Sequence, residues 1–362
     1  MTKTADLSID TKNPIIGIGA IDCDVHIKSP NTADLTPYLD DYWKEMFPYR
    51  SIDEMELTSA PHQSKHYSRK GTTGGGAQSV DELVKNVLDP LQLDAAIINV
   101  VNAVQAIYDP YMATAMCQAV NRWVAAEWLD KEPRLRASLL IPFQAPEEAV
   151  KEIQKYADDH RFVQILAITG GENPLGKRMY WPIYKAACDA GMALSIHPGN
   201  IYRHSPTASG FPSYLVEQQV TWAQGFSSQM SSLLAEGVMN EYSDMKIVMA
   251  ETGVSWLFGA SWRMAKDWRG VRGEIPWIKE SPEKIIERSI RMTIAPFDGP
   301  PNPEDGKTLI DCIGSADMLL YASDYPHNYT SELGAWPAAL PQDLARAIGV
   351  DNALATYPRL KV

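Results

Sequence analysis

The sequence predicts an α/β fold, a (β/α)8 TIM barrel with a long insertion after strand 1, and three observations point there. Eight short apolar runs read as strands buried on both faces, as a parallel sheet requires. Amphipathic stretches of helical period fill most of the gaps between them. The chain has 362 residues, the length such a barrel needs, and no dinucleotide fingerprint follows its first strand to favour a doubly wound sheet.

Taken in order, the first strand is GAIDCDV (19–25), and Asp24 and His26 at its end stand two apart. Side chains at i and i+2 of a strand share a side, so a carboxylate and an imidazole lie together there. Residues 27–92 then form an insertion; it follows the C-terminal end of a strand and is expected as a lid over the active-site face of a single domain, 1–362. Gly71 and Gly74 to Gly76 are expected to mark a mobile part of that lid. The second strand is LDAAIINV (93–100), followed by a helical pattern over 109–129. LRASLLIPF (135–143) precedes a helix at 146–159, and FVQILAI (162–168) precedes one at 180–191 that ends on a C-capping Gly191. MALSIH (192–197), MKIVMAE (245–251), SIRMTIA (289–295) and MLLYASD (318–324) complete the eight.

Composition narrows the function. A formal charge of −12 argues against nucleic acid or an anionic membrane surface as partner. No apolar run approaches the roughly 18 residues of a membrane span, and the N-terminal stretch does not read as a signal peptide. The four cysteines, Cys23, Cys117, Cys188 and Cys312, lack CxxC pairing, which fits reduced thiols in a cytoplasmic protein and excludes a cysteine zinc site. GENPLGK (171–177) imitates a phosphate-binding loop, but Arg178 stands where the Mg²⁺-binding hydroxyl belongs and Pro174 removes a backbone donor.

His197, Glu251 and Asp324 each end a predicted strand, as Asp24 and His26 do. In a barrel these ends converge on one mouth, where histidines and carboxylates from several strands can surround a divalent ion. Such an ion lowers the pKa of a bound water or polarises a substrate oxygen. The lid adds His62 and His66 in HQSKH, an i, i+4 pair that faces one way on a helix and could serve a second ion. His327 follows Asp324 by three residues, as a group orienting a ligand or as a loop histidine.

Asp24-x-His26, His197, Glu251, Asp324 in SDYPH, and the run YWPIYKAACDAGMALSIHPG resemble the amidohydrolase superfamily. The resemblance is to its amidohydrolase-related branch, with aminocarboxymuconate-semialdehyde and resorcylate decarboxylases, and it spans about residues 19 to 330. It implies Asp24, His26, His197 and Asp324 as metal ligands. Many relatives carry His-x-His on strand one and a histidine after strand six, where this chain has Asp24 and Glu251. FVQILAI has no lysine to bridge two ions. The added carboxylates harden the site and shift the metal from zinc towards manganese or iron. Decarboxylase relatives place a carboxylate-binding arginine near Arg263.

Hydrolysis of a C–N or C–O bond in a small organic substrate is the first expectation, with Asp324 taking a proton from metal-bound water and Glu251 as ligand or acid/base. Nonoxidative decarboxylation of an aromatic or unsaturated acid, with Arg263 orienting the carboxylate, is the alternative. Two others are a dinuclear Fe or Mn oxygenase or hydrolase using His62 and His66, and a noncatalytic subunit supporting a paralogue. The resemblance implies a homo-oligomer, while the noncatalytic reading would make a hetero-oligomer with such a paralogue; a small molecule is the expected substrate.

Overall fold

The computed structural model describes residues 13–50, 75–101, 103–200, 205, 207–327 and 332–361. Eight parallel strands run in sequence order as one sheet: β1 Ile21–His26, β2 Ala95–Asn99, β3 Leu135–Leu140, β4 Phe162–Gly170, β5 Ala193–Asn200, β6 Ile247–Met249, β7 Ile290–Thr293 and β8 Leu319–Leu320. Every predicted strand is present. The chain beyond β8 closes the sheet onto β1: Cys23 N–H donates to the Tyr321 carbonyl at 2.9 Å and His26 N–H to that of Tyr325 at 2.8 Å. Asp324 N–H returns to the Asp24 carbonyl at 3.1 Å.

Helices cover the outside, including Pro110–Val124, Pro146–Lys155, Trp181–Asp189, Leu215–Ala235, Ser255–Val271 and Gly306–Ile313. The stop after Trp181–Asp189 is chemical, because Gly191 takes a left-handed φ of +68° that ends the helix without a Cβ penalty. Ala96 and Ile98 of β2 face this outer layer, while Ala95 and Ile97 join Ile21, Cys23, Val163, Ala193, Val248 and Leu320 inside the barrel. Tyr357 and Ala353 pack into that inner cluster, so the C-terminal segment plugs the floor.

One irregularity sets the site. Between Asp22 and Val25, β1 spends one residue more than β2 does between Ala96 and Ile98. Such a bulge shifts the side-chain alternation by one. Ile21 and Cys23 therefore point inward below it and Asp24 and His26 inward above it, while Val25 packs outward.

Two described parts of the 27–92 stretch pack into the core. Its last helical segment, Val80–Leu83 continuing through Val84–Leu88, buries Leu83, Val87 and Leu88 fully in the main core. Helix Asp41–Tyr49 likewise turns Trp43 and Phe47 inward. Among the described residues no helix is long and apolar enough to cross a membrane.

Candidate metal centre

Five of the predicted side chains meet at the C-terminal mouth of the barrel, nearly inaccessible to solvent. His26 Nε2 lies 3.0 Å from Asp324 Oδ1, 3.7 Å from Glu251 Oε2 and 3.8 Å from Asp24 Oδ1. His197 Nε2 lies 3.2 Å from Glu251 Oε2 and 3.8 Å from Asp24 Oδ2. The His26 and His197 rings meet edge to face at 5.0 Å. His327 is the sixth member, its Nδ1 2.9 Å from Asp324 Oδ1.

Four buried atoms here, Asp24 Oδ2, His26 Nε2, His197 Nε2 and Asp324 Oδ2, make no hydrogen bond. They approach each other closely but without the alignment a hydrogen bond needs. Burying one unpartnered polar atom costs on the order of 1–3 kcal/mol, and the ligand atoms gather in two groups that share His26: Asp24, His26 and His197, and His26, Glu251, Asp324 and His327, each within 4.8 Å of one another. Imidazole nitrogens and carboxylate oxygens are the donors of a divalent ion, and either group could hold one.

The backbone aims these groups under strain. Glu251 and Asp324 adopt left-handed φ values of 50° and 51°. Hydrogen bonds hold both: Glu251 N–H donates to Thr293 Oγ1 at 2.9 Å, and the His327 N–H to the Asp324 carbonyl at 2.8 Å. Asp298, on the loop after β7, accepts from the backbone N–H of Val254 and Ser255 at 2.6 and 3.0 Å and fixes the turn that carries Glu251. Gly253 in that turn has φ +71°, and a Cβ there would strike the Asp298 carboxylate. Asn86 and Glu82 both reach the Tyr325 hydroxyl, tying the 80–88 helix to the residue after Asp324.

Charge is balanced within the cluster. Burial alone would depress His197, but the Glu251 and Asp24 carboxylates outweigh it and lift the imidazole to about 9. His327 is likewise raised to about 9, with Asp324 and Glu251 overcoming its burial. Burial acts to raise Glu251, yet His327, His197 and His26 hold its carboxyl well below the usual range. Asp24 is raised by burial, with His197 and His26 opposing. Burial also pushes Asp22 up to about 7, against hydrogen bonds from Ser323 and Asp24.

Arg263 is not part of this constellation. Its side chain is 77% exposed and its Nε pairs with Asp267 Oδ2 at 2.6 Å, one turn along the same helix. The buried face of Ser255–Val271 carries Leu257, Ser261 and Ala265, four apart, and position 263 falls on the opposite side. His62, His66, Gly71 and Gly74 lie outside the described residues.

Asn99 and Asp22 are additions that the sequence patterns did not single out. Asn99 Nδ2 donates to Asp24 Oδ1 at 2.6 Å. Asp22 Oδ1 accepts from the backbone N–H of Ser323 and Asp24 at 3.0 and 3.2 Å, joining the first and last strands beneath the site. The signal for Asn99 was its being the one polar side chain in AAIIN, the whole of β2.

Comparison with known proteins agrees with this fold. The family profile described as amidohydrolase matches residues 21–359. The γ-resorcylate decarboxylase of Polaromonas sp. strain JS666 is 25% identical over 254 residues, covering 65% of this chain and 73% of its own. A solved amidohydrolase from Mycobacterium avium subsp. paratuberculosis K-10 superposes with a TM-score of 0.70 at 19% identity, over 94% of this chain and 98% of that one. A dihydroxybenzoic acid decarboxylase from Polaromonas sp. JS666, solved with bound manganese and the inhibitor 2-nitroresorcinol, gives 0.67 at 18% identity, over 95% and 98%. With the profile spanning nearly the whole barrel and the strand-end residues gathered at its mouth, the chain belongs to the amidohydrolase family.

Proposed function

We propose that this protein is a divalent-metal-dependent, nonoxidative decarboxylase of an aromatic carboxylic acid. The observation that carries the reading is the clustering of buried imidazole and carboxylate groups around His26 in a chain that aligns with 73% of a γ-resorcylate decarboxylase. The preference for hydrolysis over carbon–carbon cleavage gives way, because the relatives whose reaction is named are decarboxylases.

Asp24, His26, His197 and Asp324 would hold the ion, which when bound would offset negative charge on the substrate's oxygens. Manganese is the first metal to test: the donor set is half carboxylate, and the solved Polaromonas decarboxylase holds that ion. In the reaction the bond from ring carbon to carboxylate breaks, CO₂ leaves, and one proton is delivered to the ring carbon. Glu251 stands against the ligand side chains themselves, its Oε2 3.2 Å from His197 Nε2 and 3.7 Å from His26 Nε2. His327 suits proton delivery better, because its ring is 11% exposed and Asp324 holds its Nδ1. With Arg263 on the surface, the substrate carboxylate is left to the mouth itself.

The test is to strip the protein, reload it with Mn²⁺, Zn²⁺ or Fe²⁺, and assay γ-resorcylate and other hydroxybenzoates for CO₂ release. One CO₂ per substrate consumed is expected. Asp324→Asn should lower turnover by at least about 10²-fold while far-UV circular dichroism stays unchanged. A metal-loaded protein that releases no CO₂ from the panel but cleaves an amide or ester would overturn the reading in favour of hydrolysis.

A further inference from the structure

Behind Asp24 runs an unbroken chain of buried hydrogen bonds that nothing in the metal cluster itself requires. Asn99 Nδ2 lies 2.6 Å from Asp24 Oδ1, and Ser138 Oγ lies 2.5 Å from Asn99 Oδ1. Gln164 Nε2 lies 2.8 Å from Ser138 Oγ, and the Tyr357 hydroxyl 2.9 Å from Gln164 Oε1. All five residues are buried. The path steps from β1 to β2, β3 and β4, then drops to the C-terminal segment at the barrel floor.

The direction of every proton in this chain is forced. An ionised carboxylate only accepts, so Asn99 must turn its amide NH₂ towards Asp24. Its carbonyl oxygen must then accept, so Ser138 donates to it. The serine oxygen in turn takes a proton from the Gln164 amide, whose carbonyl takes the tyrosine hydroxyl. Four donors thus point the same way, and such chains polarise each member in a low-dielectric interior. The consequence is at the other end: Asp24 Oδ1 is engaged, and Oδ2 is left as the unpartnered oxygen beside His197.

We propose that Asn99, Ser138, Gln164 and Tyr357 are positioning residues, a relay that sets which oxygen of Asp24 serves the metal and that begins at the C-terminal plug of the barrel. This rests on Asp24 being a metal ligand. Outer groups that orient a ligand typically contribute 10–100-fold to metal affinity. The barrel floor is thereby tied to the chemistry at its mouth.

The experiment measures Mn²⁺ binding by electron paramagnetic resonance of the free ion, alongside melting temperature, for the full chain and four variants. Asn99→Ala, Ser138→Ala and Tyr357→Phe each remove one member of the relay. Arg359→Ala is the control: this guanidinium secures the same C-terminal segment by donating to the carbonyls of Tyr156, Ala157, Asp159 and Ala190, but lies outside the relay. Mn²⁺ affinity should fall in graded order, from about 10- to 100-fold for Asn99→Ala to about twofold for Tyr357→Phe. Arg359→Ala should lower the melting temperature and leave the affinity alone. The relay is wrong if Asn99→Ala binds as tightly as wild type, or if Arg359→Ala weakens binding as much as Tyr357→Phe does. Should Asn99→Ala fail to fold, Ser138→Ala and Tyr357→Phe decide: both binding as wild type overturns the relay. A wild-type chain that takes up no Mn²⁺ overturns the metal centre as well, which separates that failure from one of the relay alone.

Discussion

Glu251 and Asp324 hold left-handed backbone that most side chains avoid, at a cost on the order of 1–3 kcal/mol each. The same residues gather protons onto their neighbours, and this has a measurable sign. His197 and His327, at about 9 in the metal-free fold, sit above the ordinary imidazole value of 6.5. A raised folded pKa contributes stability that is fully present below pH 6.5 and is lost as pH rises through 9. Metal-stripped protein should therefore melt at progressively lower temperature from pH 6.5 to 9. Mn²⁺ reverses the trend, because it competes with the proton on His197: affinity should rise by up to about tenfold per pH unit for each proton displaced. Scanning fluorimetry in EDTA and in Mn²⁺ across that range checks both halves. A metal-free melting temperature that is flat or climbing would count against the charge balance described here.

At the scale of elements, what matters is how loops beyond short strands are held. β6 ends at Met249 and β8 at Leu320, so Glu251 and Asp324 are placed by turns beyond the strands, the second tied to β1 through the Asp24 carbonyl. Asp298 supplies the clamp for the first of these turns. Its carboxylate caps the start of helix Ser255–Val271 from another loop, meeting two backbone N–H groups and the Ser255 hydroxyl, the last at 2.6 Å. Asp298→Ala should cost about 0.5–2 kcal/mol, the usual value of a lost helix cap. Because Glu251 rides on the same turn, Mn²⁺ binding should weaken too. Urea denaturation with a parallel metal titration reads both; an unchanged unfolding midpoint would show that the clamp is redundant.

For the whole molecule the C-terminal segment is part of the core. Tyr357 is fully buried among the inner strand residues and bonded to Gln164, 193 positions away in sequence. Tyr357→Ala removes a large side chain from a closed interior and should destabilise by about 3–5 kcal/mol, as other aromatic-to-alanine core changes do. The shift in urea midpoint at constant slope would register it. A loss below about 1 kcal/mol would mean the floor is sealed without the tyrosine.

The sequence by itself determined the eight strands, their parallel order and the strand-end residues, because buried apolar runs and alternating helices are local patterns. Asp24, His26, His197, Glu251 and Asp324 were legible since each stands at or just beyond the C-terminal part of an apolar run, and the barrel makes all such places neighbours. Tertiary structure alone decided the rest. Arg263 looked like a substrate clamp because decarboxylase relatives place an arginine after the strand-six turn, but helix phase turns it to solvent. The role of Asn99 depends on a carboxylate 75 residues earlier and a hydroxyl 39 residues later, contacts that no local pattern encodes. The bulge that brings Asp24 inside beside Cys23 exists only against β2. The left-handed turns at Glu251 and Asp324 exist because Thr293, Asp298 and the β1 edge hold them there, and strain of that kind persists only where distant parts of the chain impose it.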